Sequence, residues 1–182
     1  MRKQTVAFDI DGVLADFTLG FTSLAAEIGV VKEPWTGYEQ PTFNFKFHVA
    51  PVWNAVDMKP RFWLDLQPLV TKHERELMNR MAEDVNIVYV TARKASAWEQ
   101  THKWLEKYGF PEGPVFFTDD KVPLYLSMGT GLRWAIDDKP DTLRAMYLVG
   151  LPSIIRHWPY NSAAPGTRVF SVSEVLRAWE DE

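Results

Sequence analysis

The 182-residue sequence contains no cysteine, which excludes disulfide bonds and thiolate metal sites. It also has no apolar run close to the roughly 20 residues that span a bilayer. Residues 1–5 lead directly into an apolar segment, without the hydrophobic stretch of a signal peptide. A basic surplus is absent too, since the formal net charge is -4, which argues against a long nucleic-acid footprint. We therefore expect a soluble cytoplasmic protein that binds neither membranes nor long nucleic acids.

Further absences narrow the chemistry. The chain has no Gly-x-Ser-x-Gly elbow, Walker phosphate loop or zinc-binding helix, and its glycine run at 129–131 lacks the third glycine of a dinucleotide fingerprint. The histidines, at 48, 73, 102 and 157, do not have metal-ligand spacing relative to one another. What the chain does have is aromatic side chains, 14% of all residues, and this favours one well-packed domain over disorder.

The most informative segment is Asp9-Ile10-Asp11-Gly12, which follows an apolar run at 5–8 that predicts a buried strand. In extended backbone, side chains two residues apart point the same way, so Asp9 and Asp11 are expected to present two carboxylates to one point. Gly12 then allows a sharp turn. Because two adjacent buried carboxylates repel each other, the pattern is typical of cation binding or acid–base chemistry. The alternative is a polar turn that caps the strand.

Three later apolar segments also end in polar residues. Thr91 follows the segment 85–90, Lys121 follows a segment around 116–117, and Asp137-Asp138 follows 134–136. A threonine or a lysine in such a place is ordinary by itself. Open α/β sheets, however, gather ligands at the carboxyl ends of their strands, and acids, hydroxyl and amine in this order are typical of phosphoryl transfer.

Alternating strands and helices predict an α/β fold with a doubly wound parallel sheet. Helices are predicted at 17–29 and 141–148, and a fifth strand at 153–157. Three capping boxes predict the starts of further helices: Thr71-x-x-Glu74, Ser96-x-x-Glu99 and Ser171-x-x-Glu174. These helices are expected to end at about 83, at Gly109 and at about 179. The segment 31–70 is rich in proline and aromatics. We therefore predict a small helical cap at 17–70, inserted after the first strand into a core formed by 1–16 and 71–182.

With these motifs in order from residue 9 to residue 138, the chain resembles the haloacid dehalogenase (HAD) superfamily of phosphohydrolases. Within it, the likeness is greatest to the 5'(3')-deoxyribonucleotidases. The matching pieces are Asp9 to Asp16, Phe62-Trp63, Ile136 to Pro140 and Pro159-Tyr160-Asn161. The resemblance implies a HAD-like Rossmannoid core and a Mg²⁺-dependent phosphomonoesterase. Its expected substrate is a small phosphorylated molecule, a nucleoside monophosphate and in particular a deoxyribonucleotide.

The resemblance also implies roles for the four catalytic candidates. Asp9 would be the nucleophile and form an aspartyl-phosphate. Asp11 would protonate the leaving oxygen and later activate the water that cleaves the intermediate. Thr91 would hydrogen-bond a phosphoryl oxygen, and Lys121 would neutralise Asp9 and the transferred group. The alternative for Asp11 is a turn residue or an outer ligand.

For Mg²⁺, the resemblance implies the Asp9 carboxylate, the Asp11 backbone carbonyl and the Asp137 carboxylate as ligands. Asp138 would act behind these ligands, on a water of the ion. Alternatively Asp138 caps the helix that Pro140 begins. Which of the two adjacent aspartates touches the metal stays open at this stage.

The second motif departs from the family, because Ala92-Arg93-Lys94 follows Thr91 where relatives have Ser-Pro. Arg93 is our candidate for binding the phosphate, since its planar fork suits phosphate oxygens; a solvated residue at a helix start is the alternative. Aromatic residues of the cap are candidates for stacking on a base, although each could equally be cap core. These are Phe17, Phe43, Phe45, Phe62 and Trp63.

Three other functions compete with the nucleotidase prediction. They are a 3'-phosphatase that acts on nucleic-acid ends, a broad small-molecule phosphatase, and a catalytically silent module that binds phosphoryl groups. The acidic balance and the aromatic insert argue against the first. The sequence leaves open whether the chain forms a homodimer.

Overall fold

The structure is a computed structural model, and it describes residues 3–34 and 47–181. The strands are β1 (Thr5–Asp9), β2 (Asn86–Thr91), β3 (Val115–Phe117), β4 (Leu132–Asp137), β5 (Ser153–Arg156) and β6 (Thr167–Val169). The helices are α1 (Phe17–Glu27), α2 (Ala50–Met58), α3 (Lys72–Asp84), α4 (Trp98–Tyr108), α5 (Val122–Met128), α6 (Pro140–Leu148) and α7 (Val172–Glu180).

The six strands form one parallel sheet in the order β3-β2-β1-β4-β5-β6. The central strand β1 pairs with β2 and β4, and Phe8 lies level with both Tyr89 and Ile136. This register brings the carboxyl ends of β1, β2 and β4 to one edge of the sheet. Helices cover both faces, so the predicted doubly wound α/β fold is confirmed.

Alternate residues of β1 serve two separate cores. Val6 and Phe8 pack on the face that carries α3, α4 and α7, where Trp104 is fully buried. Ala7 packs on the opposite face, with Tyr125 of α5 and Met146 of α6. Since the sheet is buried on both faces, its strands are continuous apolar runs, and polar residues are concentrated where the strands end.

Three of the predicted helix signals are confirmed, among them the capping box at Ser171-x-x-Glu174, and one is wrong. Thr71 Oγ1 accepts a hydrogen bond from Glu74 N (3.2 Å) while Glu74 Oε2 accepts one from Thr71 N (2.7 Å), which forms the predicted capping box of α3. Gly109, with φ of 71°, ends α4 as expected. Ser96, however, does not cap α4. It lies inside a short 3₁₀ turn at Ala95–Ala97, and α4 starts only at Trp98.

Two short elements were not predicted. One is α5, a seven-residue helix that begins directly after Lys121, and the other is β6, a three-residue strand at the edge of the sheet. Such short segments contain too few residues to show a helical or alternating pattern.

The two ends of the insert lie side by side. Asp16 N donates to the Gln67 carbonyl (2.8 Å) and Leu69 N donates to the Leu14 carbonyl (2.7 Å). Between these ends, α1 packs against α2. An inserted cap needs this arrangement, and the division into a core (1–16, 71–182) and a cap (17–70) stays a prediction. Within the described residues, every helix is too short or too polar to cross a membrane.

Candidate active site

Three carboxylates meet at the carboxyl edge of the sheet. Asp9 ends β1, Asp137 ends β4, and Asp138 follows it; one oxygen of each lies within 4.8 Å of the others. All three side chains are buried. Oxygen donors in this number suit a hard divalent cation such as Mg²⁺.

Among the described residues, Lys121 is the cation in direct contact with this cluster. Its Nζ lies 2.9 Å from Asp9 Oδ1 and 2.7 Å from Asp137 Oδ2, and the side chain is 1% exposed. The residue sits at the start of α5, so that helix holds the amine against the strand ends. Three carboxylates against one lysine leave an excess of two negative charges, and a divalent cation would balance them.

The pKa values of the cluster show that this excess of negative charge is costly. Burial raises the pKa of Asp9 well above its usual value; Lys121 opposes the rise, and Asp137 and Asp138 add to it. Burial and the neighbouring Asp137 raise the pKa of Asp138 to about 7. Burial disfavours the charged form of Lys121, but the attraction of Asp137 and Asp9 outweighs it and raises the pKa of the amine. Ionised carboxylates are therefore costly here without an additional positive charge.

The loop after β5 holds Asp138 in place. The Tyr160 hydroxyl donates to Asp138 Oδ2, and Asn161 Nδ2 donates to the Asp138 carbonyl (2.9 Å) and to the Arg156 carbonyl (2.8 Å). In the same region, Trp158 Nε1 donates to the Gly12 carbonyl (2.7 Å). The loop around Tyr160 therefore fixes both a carboxylate and the turn after β1.

Asp11 lines the same cavity as Asp9, but its carboxylate lies outside the cluster of three carboxylates. Its carboxylate accepts two hydrogen bonds from Arg93, from Nε to Oδ2 (2.8 Å) and from a terminal nitrogen to Oδ1 (2.7 Å). Because β1 ends at Asp9, the alternation of side chains along the strand does not extend to Asp11, and the direction of the Asp11 side chain is set by other contacts. Thr91 lies behind this pair, because its hydroxyl accepts from Arg93 N (3.2 Å) and is 3.5 Å from Asp11 Oδ2.

A cavity of about 420 Å³ opens on these groups. Asp9, Asp11, Lys121 and Asp138 lie on its wall, whereas Thr91 and Asp137 lie behind it. The remaining wall includes three aromatic residues of the insert, Phe17, Trp53 and Trp63. The site thus combines a charged floor with an aromatic wall.

The aromatic wall is a continuous stack. The Phe17 ring lies between Trp53 (centroids 5.7 Å apart, planes at 23°) and Trp63 (5.9 Å, 13°). The Arg93 guanidinium then lies over the Trp63 ring, 4.6 Å from its centroid. Phe17 and Trp63 are each 8% exposed, while Trp53 is 37% exposed and so offers the most accessible ring.

Comparison with known families decides the assignment. Residues 3–178 match the family model described as "5' nucleotidase, deoxy (Pyrimidine), cytosolic type C protein". The chain belongs to this family. The resemblance to HAD phosphohydrolases of the deoxyribonucleotidase type is thereby confirmed, and the chain is a phosphoric monoester hydrolase.

Solved structures share the fold of this nucleotidase. A haloacid dehalogenase-like family hydrolase from Streptococcus pneumoniae is 17% identical, with 97% of this chain and 98% of that chain covered and a TM-score of 0.63. A HAD hydrolase from Bacillus subtilis, described as bound to magnesium, is 14% identical (99% and 100% covered, TM-score 0.62), and one from Xanthomonas campestris is 15% identical (99% and 96%, 0.57). Identities this low show the fold alone. A search of curated proteins gave no match.

Of the six predicted substrate-binding residues of the nucleotidase, the structure brings three to the cavity. Phe17, Trp63 and Arg93 line it. Phe62 does not; it is buried edge-on against Phe17 and Trp63 and lines a separate groove with Asp16 and Lys59. The predicted contacts of Phe43 and Phe45 fall outside the described residues.

Sequence reasoning missed Trp53, Asp57 and Lys94 as cavity residues. Asp57 of α2 pairs with Lys94 of the core across the cavity (2.5 Å), so the insert and the core also meet through charge. The only signal for Trp53 was its place in the aromatic segment 31–70, which contains too many aromatic residues to single one out.

Proposed function

We propose that this nucleotidase is a Mg²⁺-dependent phosphomonoesterase that removes phosphate from nucleoside monophosphates, with deoxyribonucleotides preferred. The observation that carries the proposal is the buried carboxylate cluster with Lys121, which opens on a cavity with an aromatic wall. The family description, which names a cytosolic type, supports the predicted cytoplasmic location. A homodimer stays an untested prediction.

The residues present fit Mg²⁺. The Asp9 and Asp137 carboxylates and the Asp11 carbonyl would hold it, and the Asp138 carboxylate lies close enough to hold it directly or through water. When bound, the ion neutralises charge on the phosphoryl oxygens. Asp137 already accepts bonds from Lys121 Nζ and Lys139 N, and this fixes the orientation of its carboxylate.

Asp9 is the proposed nucleophile. Its Oδ1 accepts hydrogen bonds from Ile10 N (2.7 Å) and is paired with Lys121 (2.9 Å), so the carboxylate is held in one orientation. A positioned nucleophile beside a buried cation reduces the repulsion that an anionic substrate would otherwise meet. Attack on phosphorus forms an aspartyl-phosphate on Asp9 and releases the nucleoside.

Asp11 is the proposed general acid and base. Its proton passes to the leaving oxygen as the phosphorus–oxygen bond breaks, and the carboxylate then removes a proton from the water that hydrolyses the aspartyl-phosphate. Asp11 lies on the wall of the same cavity as Asp9, as both steps require. Thr91 lies buried behind Asp11, and its predicted hydrogen bond to a phosphoryl oxygen stays a proposal.

The aromatic wall supports a nucleotide substrate. Stacking of a base on an aromatic ring contributes roughly 1–3 kcal/mol. Trp53 offers the most exposed ring of the wall, and the cavity volume of about 420 Å³ suits a small ligand.

The test measures phosphate release from deoxyribo- and ribonucleoside 5'- and 3'-monophosphates, sugar phosphates and a 3'-phosphorylated oligonucleotide, with Mg²⁺ and with a chelator. We expect turnover of nucleoside monophosphates only with Mg²⁺. Asp9→Asn should abolish turnover without unfolding the protein, because it removes the nucleophile. Asp141→Asn, the same substitution at an exposed position of α6, is the matched control and should retain full activity.

Each contrary result identifies another function. Turnover of sugar phosphates alone would indicate a broad small-molecule phosphatase, and turnover of the oligonucleotide alone an enzyme for nucleic-acid ends. A folded protein without turnover of any ester would indicate a silent phosphoryl-binding module. Unchanged activity in Asp9→Asn would reject the mechanism.

A further inference from the structure

We infer that Arg93 is a positioning residue that fixes the carboxylate of Asp11, and that it does not hold the substrate phosphate. The inference rests on the proposed function, in which Asp11 transfers protons. It replaces the role in phosphate binding that the sequence suggested for Arg93. The position is also where this chain departs from the family pattern, since Arg93 stands in the Ala92-Arg93-Lys94 segment.

The first argument is the geometry of the pair. The Arg93 fork meets both Asp11 oxygens, at 2.8 and 2.7 Å, so the plane and direction of the carboxylate are set together. Its other terminal nitrogen donates to Thr101 Oγ1 at 3.1 Å, inside α4. The guanidinium is thereby tied at both ends, and the Arg93 side chain is 1% exposed.

The second argument is the packing around the guanidinium. Trp63 of the insert lies over it at 4.6 Å, and Trp104 of α4 lies at 5.9 Å. Trp104 is itself fixed, since its Nε1 donates to the Leu66 carbonyl (2.8 Å) and its side chain is fully buried. Turning Arg93 toward a phosphate would give up these contacts and leave the buried hydroxyl of Thr101 without its donor, which is costly.

The third argument is the precise position that Asp11 needs in order to act as a general acid. A general acid must lie within hydrogen-bond reach of the leaving oxygen, and a misplacement of about 1 Å can cost on the order of 100-fold in rate. Asp11 follows the end of β1, so the strand no longer dictates where its side chain points. Arg93 supplies the missing constraint without taking part in any proton transfer.

A double-mutant cycle tests this role, using Arg93→Gln, Asp11→Asn and the combination, with a nucleoside 5'-monophosphate as substrate. We expect Arg93→Gln to lower kcat roughly 10- to 100-fold, the order of loss for a misplaced group. KM and competitive inhibition by inorganic phosphate should change by less than about 3-fold. In the Asp11→Asn background the same change should have little further effect, because the two residues act as one unit. The inference would be overturned if the kcat of the double variant fell by the product of the two single losses, or if Arg93→Gln bound inorganic phosphate more weakly.

The leaving group provides a second readout. p-Nitrophenolate departs without being protonated, whereas a nucleoside oxygen needs the proton of Asp11. Arg93→Gln should therefore retain a rapid burst of p-nitrophenolate while turnover of the nucleotide falls. A burst slowed as much as nucleotide turnover would show that Arg93 acts on the phosphoryl group itself.

Two further variants separate positioning from loss of structure. Arg61→Gln breaks an exposed Arg61–Asp65 pair on the surface and should leave the kinetics unchanged. Thr101→Val keeps the arginine but removes the oxygen that anchors it; it should lower kcat several-fold with KM unchanged. Thr101→Val decides the matter if Arg93→Gln does not fold, and an unchanged kcat in that folded variant would overturn the inference. Failure of the proposed function would instead appear in the wild-type protein, as absent nucleotide turnover.

Discussion

At the residue scale, Gly12 shows how tightly the turn after β1 is built against the carboxylate cluster. Its φ of 84° lies in the left-handed region, and a Cβ added there would meet Asp138 Oδ2 at 2.1 Å. The backbone of Gly12 therefore lies where any other residue would displace a proposed metal-site carboxylate. The close approach, more than the conformation, is what requires a glycine.

Gly12→Ala should consequently impair activity more than stability. We expect a loss of at least roughly 10-fold in kcat, since displacement of a catalytic group by about 1 Å has effects of this order. Gly29→Ala is the matched control, because Gly29 has a similar φ of 75° but nothing within 4 Å of its added Cβ. Urea unfolding should show destabilisation in both, whereas only Gly12→Ala should lose activity. Equal activity in the two variants would contradict the argument.

Single residues were predictable where the chain itself places them. Asp9 and Asp137 end apolar strands and Lys121 follows a third apolar strand, so the parallel sheet brings them together. The pairing of Asp11 with Arg93 was not predictable, since these residues are 82 positions apart and neither lies in a regular element. Sequence patterns predict where a backbone ends more readily than which side chains then meet.

At the element scale, Glu74 joins the starts of two helices. Its Oε2 accepts from Thr71 N (2.7 Å) at the start of α3, and its Oε1 accepts from Ser173 N (2.9 Å) in the first turn of α7. The capping box at Thr71 was predictable because it is local. The contact with Ser173 was not, because it spans 99 residues and depends on α3 and α7 lying together.

Glu74→Gln should lower the free energy of unfolding by about 1.5–3 kcal/mol, the range for hydrogen bonds to a charged group. A glutamine has one oxygen and cannot accept at both helix starts, and its amide turns a donor toward one of them. Urea unfolding measures the change. Glu174→Gln is the control, because the exposed Glu174 caps α7 alone, through Phe170 N and Ser171 N. An effect of Glu174→Gln as large as that of Glu74→Gln would contradict the double-cap role.

At the scale of the whole molecule, the fold gathers excess negative charge at one edge of its sheet. The sequence allowed this to be predicted, because every strand of a doubly wound sheet ends at the same edge. It could not show how the insert covers that edge, since the stack from Trp53 to Trp63 depends on packing between segments without a periodic pattern. The charged floor follows from topology, and the aromatic wall from tertiary packing.

This charge should couple metal binding to the stability of the molecule. Mg²⁺ at 100 times its Kd would stabilise the folded state by about 2.7 kcal/mol. For a chain of this length that corresponds to a rise in Tm of roughly 5–10 °C. Scanning calorimetry at pH 8, with KCl at equal ionic strength to correct for screening, measures the rise.

Asp138→Asn should make the metal-free protein more stable and reduce the stabilisation by Mg²⁺. Burial makes the charge on Asp138 costly, so its removal should raise the Tm of the metal-free protein, while the gain from Mg²⁺ should shrink because a nearby carboxylate is lost. Asp141→Asn, at an exposed position in the first turn of α6, should leave the gain from Mg²⁺ unchanged. If Mg²⁺ stabilised Asp138→Asn as much as the wild type, the carboxylate of Asp138 would have no part in holding the ion. Asp137 would then be the aspartate of the pair that binds it.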